Sequence, residues 1–101
     1  YDSLVRFEPT AVVRLNRAVA YGEAQSAELG LRMIEDLGRD LADYQPYHAA
    51  RAEMLSRNGM IAAALEAYDT ALTMTNSIAD AGFLTRKRSE LASKANQASN
   101  S

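Results

Sequence analysis

Two stretches of the sequence, LNRAVAYGEAQSAELGLRMI at residues 15–34 and AARAEMLSRNGMIAAALEAY at residues 49–68, align without a gap when Leu15 is laid over Ala49. Three positions are identical in this alignment: Arg17 falls on Arg51, Ala18 on Ala52 and Leu31 on Leu65. An ungapped internal match of this length indicates two copies of one structural unit.

Each copy is predicted to hold two helices, because apolar residues recur at steps of three and four and Gly or Pro stands between the stretches. Gly38 and Gly59 are predicted to end helices, and Pro46 suits a first helical turn. The predicted helices cover residues 1–7, 10–21, 24–37, 46–58, 60–75 and 77–94. A period of about 34 residues with two helices per unit is typical of tetratricopeptide repeats.

The repeat register also predicts how the helices pack. Small residues are expected where two helices cross closely, and large ones are expected to fill the grooves between neighbouring pairs. The expected small residues are Ala18, Gly30, Ala52 and Ala64, and the expected large ones are Tyr21, Ile34, Leu55 and Tyr68.

The predicted fold class is therefore all-α, a tetratricopeptide-like superhelix of about two and a half repeats plus a C-terminal helix. It is expected to span residues 1–95, with a polar tail over residues 96–101. Tyr1-Asp2 matches Tyr68-Asp69, so we expect the sequence to begin inside the second helix of a preceding unit.

The amino-acid composition limits the classes of function that the chain can have. The chain has 101 residues with a net charge of -2, no Cys and a single His, His48. These counts argue against a thiolate or multi-histidine metal site and against a His-based triad, so we expect no enzyme activity, no cofactor and no small-molecule substrate. A packing role is expected for His48. No apolar run approaches the ~20 residues that a membrane span needs, and a cytoplasmic location is expected.

Three strings carry a resemblance to a known family: VVRLNRAVA at residues 12–20, YHAARAEMLSRNG at 47–59 and AALEAYDTALTMT at 63–75. In this order they resemble the C-terminal extension of a group of bacterial extracytoplasmic-function sigma factors. FLTRKRSEL at residues 83–91 resembles the group's final arginine-rich run. The resemblance covers nearly the whole chain.

The resemblance implies a regulatory protein-interaction domain that controls transcription initiation. Its partners would be the sigma-factor domains of the same polypeptide, the RNA polymerase core, or both. DNA would be contacted only through those N-terminal domains. The alternative is a free-standing tetratricopeptide-type adaptor that binds a peptide or helix of an unrelated protein, and a helix-turn-helix pattern upstream would distinguish the two.

Two groups of residues are candidates for partner contact. The first is an expected apolar concave face for a helix or loop ligand, and its predicted residues are Val12, Leu15, Asn16, Val19 and Glu53. Asn16 could bind a partner's backbone, cap the N-terminal stretch or satisfy a loop carbonyl.

The second group is the basic run Arg86, Lys87 and Arg88. It is expected to form a solvated face or a polar contact with an acidic protein surface. Contact with nucleic acid is disfavoured because acidic residues share the helix and no aromatic platform accompanies the charges.

Overall fold

The computed structural model describes the backbone of residues 9–100 and the side chains of residues 10–95. Within that range the chain is all-helical and has no strand, which confirms the predicted all-α class. The stretch predicted over residues 1–7 lies outside the described residues. The helices are α1 (Pro9–Ala24), α2 (Ala27–Glu35), α3 (Gln45–Arg57), α4 (Ile61–Met74) and α5 (Ile78–Asn100).

The helices pack in sequential order along the molecule. α1 pairs with α2 and α3 pairs with α4, so the described chain contains two helical hairpins. α2 also packs on α3, and α5 packs on α4. One apolar cluster lies mainly between α1, α2 and α3, and a second lies between α3, α4 and α5. Leu31 of α2 packs against both clusters and connects them.

The two helices of the first hairpin approach very closely at Gly22 and Gly30. A Cβ atom built on Gly30 would stand 2.5 Å from the Gly22 Cα, and one on Gly22 would stand 2.6 Å from the Met54 sulfur. Only residues without a side chain permit this approach. Ala18 is fully buried beside the crossing, where its carbonyl oxygen lies 3.2 Å from the Gly30 Cβ position.

In the second hairpin, alanine occupies both of the positions that correspond to Ala18 and Gly30. Ala52 of α3 and Ala64 of α4 lie 34 residues after Ala18 and Gly30, and both are fully buried. The prediction that small residues occupy these four positions in the interior is therefore confirmed. Among the predicted large residues, Ile34, Leu55 and Tyr68 are buried, whereas Tyr21 is 38% exposed and fills no groove between the two described hairpins.

Local capping explains where the helix ends differ from the prediction. α2 begins at Ala27, not near residue 24, because the Ser26 hydroxyl accepts a hydrogen bond from the Leu29 amide at 3.2 Å and caps the helix. The Ser77 hydroxyl accepts from the Asp80 amide at 3.2 Å. α5 continues to Asn100, so its predicted end near Lys94 is wrong.

The connections are held by specific contacts. Gly59 ends α3 with a φ of 78°, which a residue with a side chain rarely adopts. The preceding Asn58 donates its side-chain amide to the carbonyls of Ala27, at 2.9 Å, and Met54, at 2.8 Å. This side chain therefore ties the end of α3 to the start of α2. Leu41, in the segment between α2 and α3, is fully buried and anchors that segment in the first cluster.

Two glycine substitutions test the close crossing. Gly30→Ala is expected to lower the free energy of unfolding by about 1–3 kcal/mol, because its Cβ would meet the backbone of Gly22. Gly82→Ala in α5 is the matched control, since nothing lies within 4 Å of the added Cβ. The control is expected to stabilise by about 0.5–1 kcal/mol through helix propensity. Urea unfolding of both variants measures the change in the free energy of unfolding. Equal changes in the two variants would contradict the close crossing of α1 and α2.

Candidate protein-interaction surface

The α1 residues predicted to form an apolar concave face contribute mainly to the core. Leu15 is only 3% exposed and belongs to the first cluster, and Val12 and Val19 pack against that cluster. The prediction that Leu15 lies on an open apolar face is therefore wrong. Asn16 is exposed and has no hydrogen-bond partner among the described residues.

The basic run on α5 is divided among three directions, because consecutive residues of a helix do not face the same way. Arg88 binds Asp69 of α4, with its Nε 2.6 Å from Oδ1 and its Nη2 3.2 Å from Oδ2. The Arg86 guanidinium lies 5.8 Å from the centre of the Phe83 ring. Lys87 points into a groove beside α3. The three residues therefore do not share one face, and the predicted polar contact of this run with a partner's acidic surface stays a prediction.

That groove runs between α3 and α5. It brings together Glu53, from the predicted concave face, and Lys87, from the basic run. Its volume is about 150 Å³. We call it the α3–α5 groove, and its lining residues are Glu53, Ser56, Arg57, Tyr68, Lys87, Glu90, Leu91 and Lys94. Most of these side chains carry charge, so the surface is polar and of mixed sign.

A row of charged side chains extends from the α3–α5 groove towards α1. Arg57 Nη2 lies 2.9 Å from Glu53 Oε2, one turn earlier on α3, and 3.9 Å from Glu23 Oε2 on α1. These side chains are between one third and one half exposed, so each pair adds little to stability. Lys87 and Lys94 form no ion pair among the described residues and remain open to a ligand.

Tyr68 of α4 forms the floor of the α3–α5 groove and is only 4% exposed. Burial raises the pKa of its hydroxyl above the usual value, and the negative charges of Glu53 and Glu90 raise it further. The phenol is therefore neutral throughout the physiological pH range.

A larger groove lies between α2, α3 and α4, with a volume of about 570 Å³. Leu31, Leu55 and Met60 contribute its apolar surface, and Met60 is 49% exposed. The ion pair between Arg51 Nε and Glu35 Oε2, at 2.8 Å, stands at its edge. The sequence alone does not predict this groove, because its walls come from three helices whose packing the 34-residue register does not specify.

His48 has a structural environment. Its Nε2 donates to the carbonyl of Ala42 at 2.6 Å, and its ring meets Tyr47 edge-on with centroids 4.9 Å apart. The half-buried ring thus ties α3 to the segment before it, in agreement with the packing role predicted for it. Among the described side chains, those of residues 10–95, no group of three or more acidic or histidine residues could hold a metal ion. None of the described helices is both long and apolar enough to cross a membrane.

Over 94 residues, 93% of the chain, the sequence is 34% identical to an uncharacterized protein of Rhizobium meliloti (strain 1021). The chain spans only 22% of that protein's length. No protein-family profile matches the sequence, and no solved structure matches it.

The buried Tyr68 hydroxyl predicts a measurable pH dependence. Its pKa is raised in the folded state, whereas an unfolded tyrosine ionises near 10. The folded state therefore retains a proton that the unfolded state loses, and the free energy of unfolding falls as the pH rises above about 10. Tyr68→Phe is expected to reduce this fall in urea unfolding measured from neutral pH to beyond that point. An unchanged pH dependence would show that the pKa of the Tyr68 hydroxyl is not raised in the folded state.

Proposed function

We propose that this chain is a tetratricopeptide-like regulatory extension of a bacterial extracytoplasmic-function sigma factor and that it controls transcription initiation through protein contacts in the cytoplasm. The observation that carries the proposal is the α3–α5 groove. Glu53 and Lys87 stand one repeat period apart, at equivalent positions of successive first helices, and they line one open groove. Repeat proteins build extended binding surfaces in this way, from equivalent positions of stacked units.

The chemistry of the groove favours a protein segment as its ligand. Lys87 and Lys94 supply donors without ion-pair partners among the described residues, Glu53 and Glu90 supply acceptors, and Tyr68 lines the same groove. Complementary charges of both signs give specificity and orientation more than raw affinity. Such a surface suits a polar, mixed-charge segment of the sigma domains or of RNA polymerase, in place of the apolar ligand that the sequence alone predicts.

The match to the Rhizobium protein supports an arrangement with further domains, because more than three quarters of that protein lies outside the matched segment. A partner domain in the same polypeptide would be held at high effective concentration. Docking could then be reversible and still efficient, as regulation requires.

The distribution of positive charge supports a role without direct DNA contact. Arg88 is paired with Asp69, Arg86 lies over Phe83, and Lys87 shares its groove with Glu53 and Glu90. Binding to duplex DNA depends on many cations that neutralise phosphates together. We therefore assign promoter contact to other domains of the parent protein.

Reconstituted transcription with the full-length parent polypeptide tests the proposal. Deletion of the residues equivalent to Thr10 through Leu91 is expected to abolish or strongly change output from the cognate promoter. The charge reversal Lys87→Glu is expected to weaken docking about fivefold, which corresponds to about 1 kcal/mol, and to shift output in the direction of the deletion.

Arg39→Glu is the matched control for the charge reversal, since Arg39 is exposed and lines none of the grooves described above. It should leave promoter output and polymerase binding unchanged. If the deleted form matches the full-length protein in both readouts, at equal amounts of folded protein, the regulatory role is wrong and the adaptor alternative takes its place.

A further inference from the structure

The turn between α3 and α4 contains an Asn-Gly dipeptide, Asn58-Gly59. Asparagine followed by glycine is prone to spontaneous loss of the side-chain amide, because glycine has no side chain to shield its backbone nitrogen. In that reaction the Gly59 nitrogen attacks the Asn58 Cγ, the bond from Cγ to Nδ2 breaks, ammonia leaves and the Gly59 amide proton passes to solvent. Water then opens the five-membered imide to aspartate or isoaspartate, without oxidation or reduction.

The folded backbone of this turn opposes closure of the imide ring. The ψ angle of Asn58 is 4°, so its own backbone nitrogen, and not its Cβ, lies on the same side of the Cα–C bond as the Gly59 nitrogen. The ring requires the Cβ on that side, because Cα, Cβ and Cγ are all ring atoms. Two hydrogen bonds resist the necessary rotation, from the Gly59 amide to the Ser56 carbonyl at 3.0 Å and from the Met60 amide to the Leu55 carbonyl at 2.9 Å. The ring therefore cannot close until the turn opens.

The reacting side chain is itself held in place. The Nδ2 group of Asn58 donates to the carbonyl oxygen of Ala27 at 2.9 Å and to that of Met54 at 2.8 Å. Both hydrogen bonds must break before the Cγ can turn towards the Gly59 nitrogen. The bond to Ala27 is also the contact that ties α3 to the start of α2, so the reactive conformation and this link exclude each other.

We propose that Asn58 is a site of spontaneous deamidation that the folded chain protects, and that it reacts only when the turn between α3 and α4 opens locally. The product cannot restore the link, because an ionised carboxylate accepts hydrogen bonds but has none to donate. It would face the carbonyl oxygens of Ala27 and Met54, which are acceptors too. Each reaction therefore converts a transient opening into a permanent loss of the tie between α2 and α3. The proposal is independent of the role in transcription.

The chain carries an internal control in Asn76. This residue is exposed and is followed by Ser77, and its side chain makes no hydrogen bond among the described residues. Trypsin is expected to release residues 58–86 as one peptide, since no Lys or Arg stands between Arg57 and Arg86. Both asparagines can therefore be followed in the same fragment by tandem mass spectrometry.

The wild-type chain is kept in mildly alkaline buffer, with and without denaturing urea, and sampled over time. In urea, Asn58 is expected to react faster than Asn76. In native buffer it should react at least about tenfold more slowly than in urea, which corresponds to an opening free energy of about 1.4 kcal/mol, and more slowly than Asn76. An Asn58 that reacts at the same rate in both buffers, or faster than Asn76 in the native chain, would overturn the proposal.

A pair of substitutions tests what the reaction does to the fold. Asn58→Asp is expected to lower the melting temperature by at least about 4 °C, because it removes both donated hydrogen bonds and places a charge beside two carbonyl oxygens. Asn76→Asp is the matched control and should shift it by less than about 3 °C. Equal shifts in the two variants would contradict the loss of the link.

Discussion

The close crossing of α1 and α2 is the constraint on which the rest of the described structure depends. Gly22 and Gly30 let the two backbones approach to a distance at which no Cβ atom fits. This approach places Ile34 and Ala18 at zero exposure and positions α2 to pack on α3. The second hairpin repeats the arrangement with Ala52 and Ala64, where one methyl group per residue is accommodated. Small residues therefore set the spacing within each hairpin, and larger side chains fill the space between hairpins.

The α3–α5 groove follows from the helix packing, because α3 and α5 both pack on α4 and Tyr68 of α4 lines the groove between them. Glu53 and Lys87 then face one groove although they are far apart in sequence. The ion pairs between helices, Arg51 with Glu35 and Arg88 with Asp69, involve side chains that are about one third to one half exposed, so each contributes little free energy. Apolar burial supplies the stability, and the ion pairs help to specify which turn of one helix lies against which turn of the next.

The sequence predicted the elements that local chemistry determines. The repeat period identified the buried small positions, and Gly59 marked the end of α3, where its positive φ is observed. Leu15 was misplaced because a broad apolar stripe shows that α1 is buried on one side but not which of its apolar residues other helices cover. The division of the basic run depends on Asp69, an acidic residue on a different helix. Such pairings depend on tertiary packing, which helical periodicity does not determine.

Measuring the distance between the α-protons of Gly22 and Gly30 is the most direct test of how α1 and α2 cross. A Cβ on Gly30 would lie 2.5 Å from the Gly22 Cα, so the Gly30 α-hydrogen that occupies the Cβ direction points at the backbone of Gly22. A nuclear Overhauser experiment on the 101-residue chain should show strong cross-peaks between the α-protons of these two glycines. Their absence, in a sample whose amide contacts confirm helical α1 and α2, would contradict the crossing and the stacked arrangement derived from it.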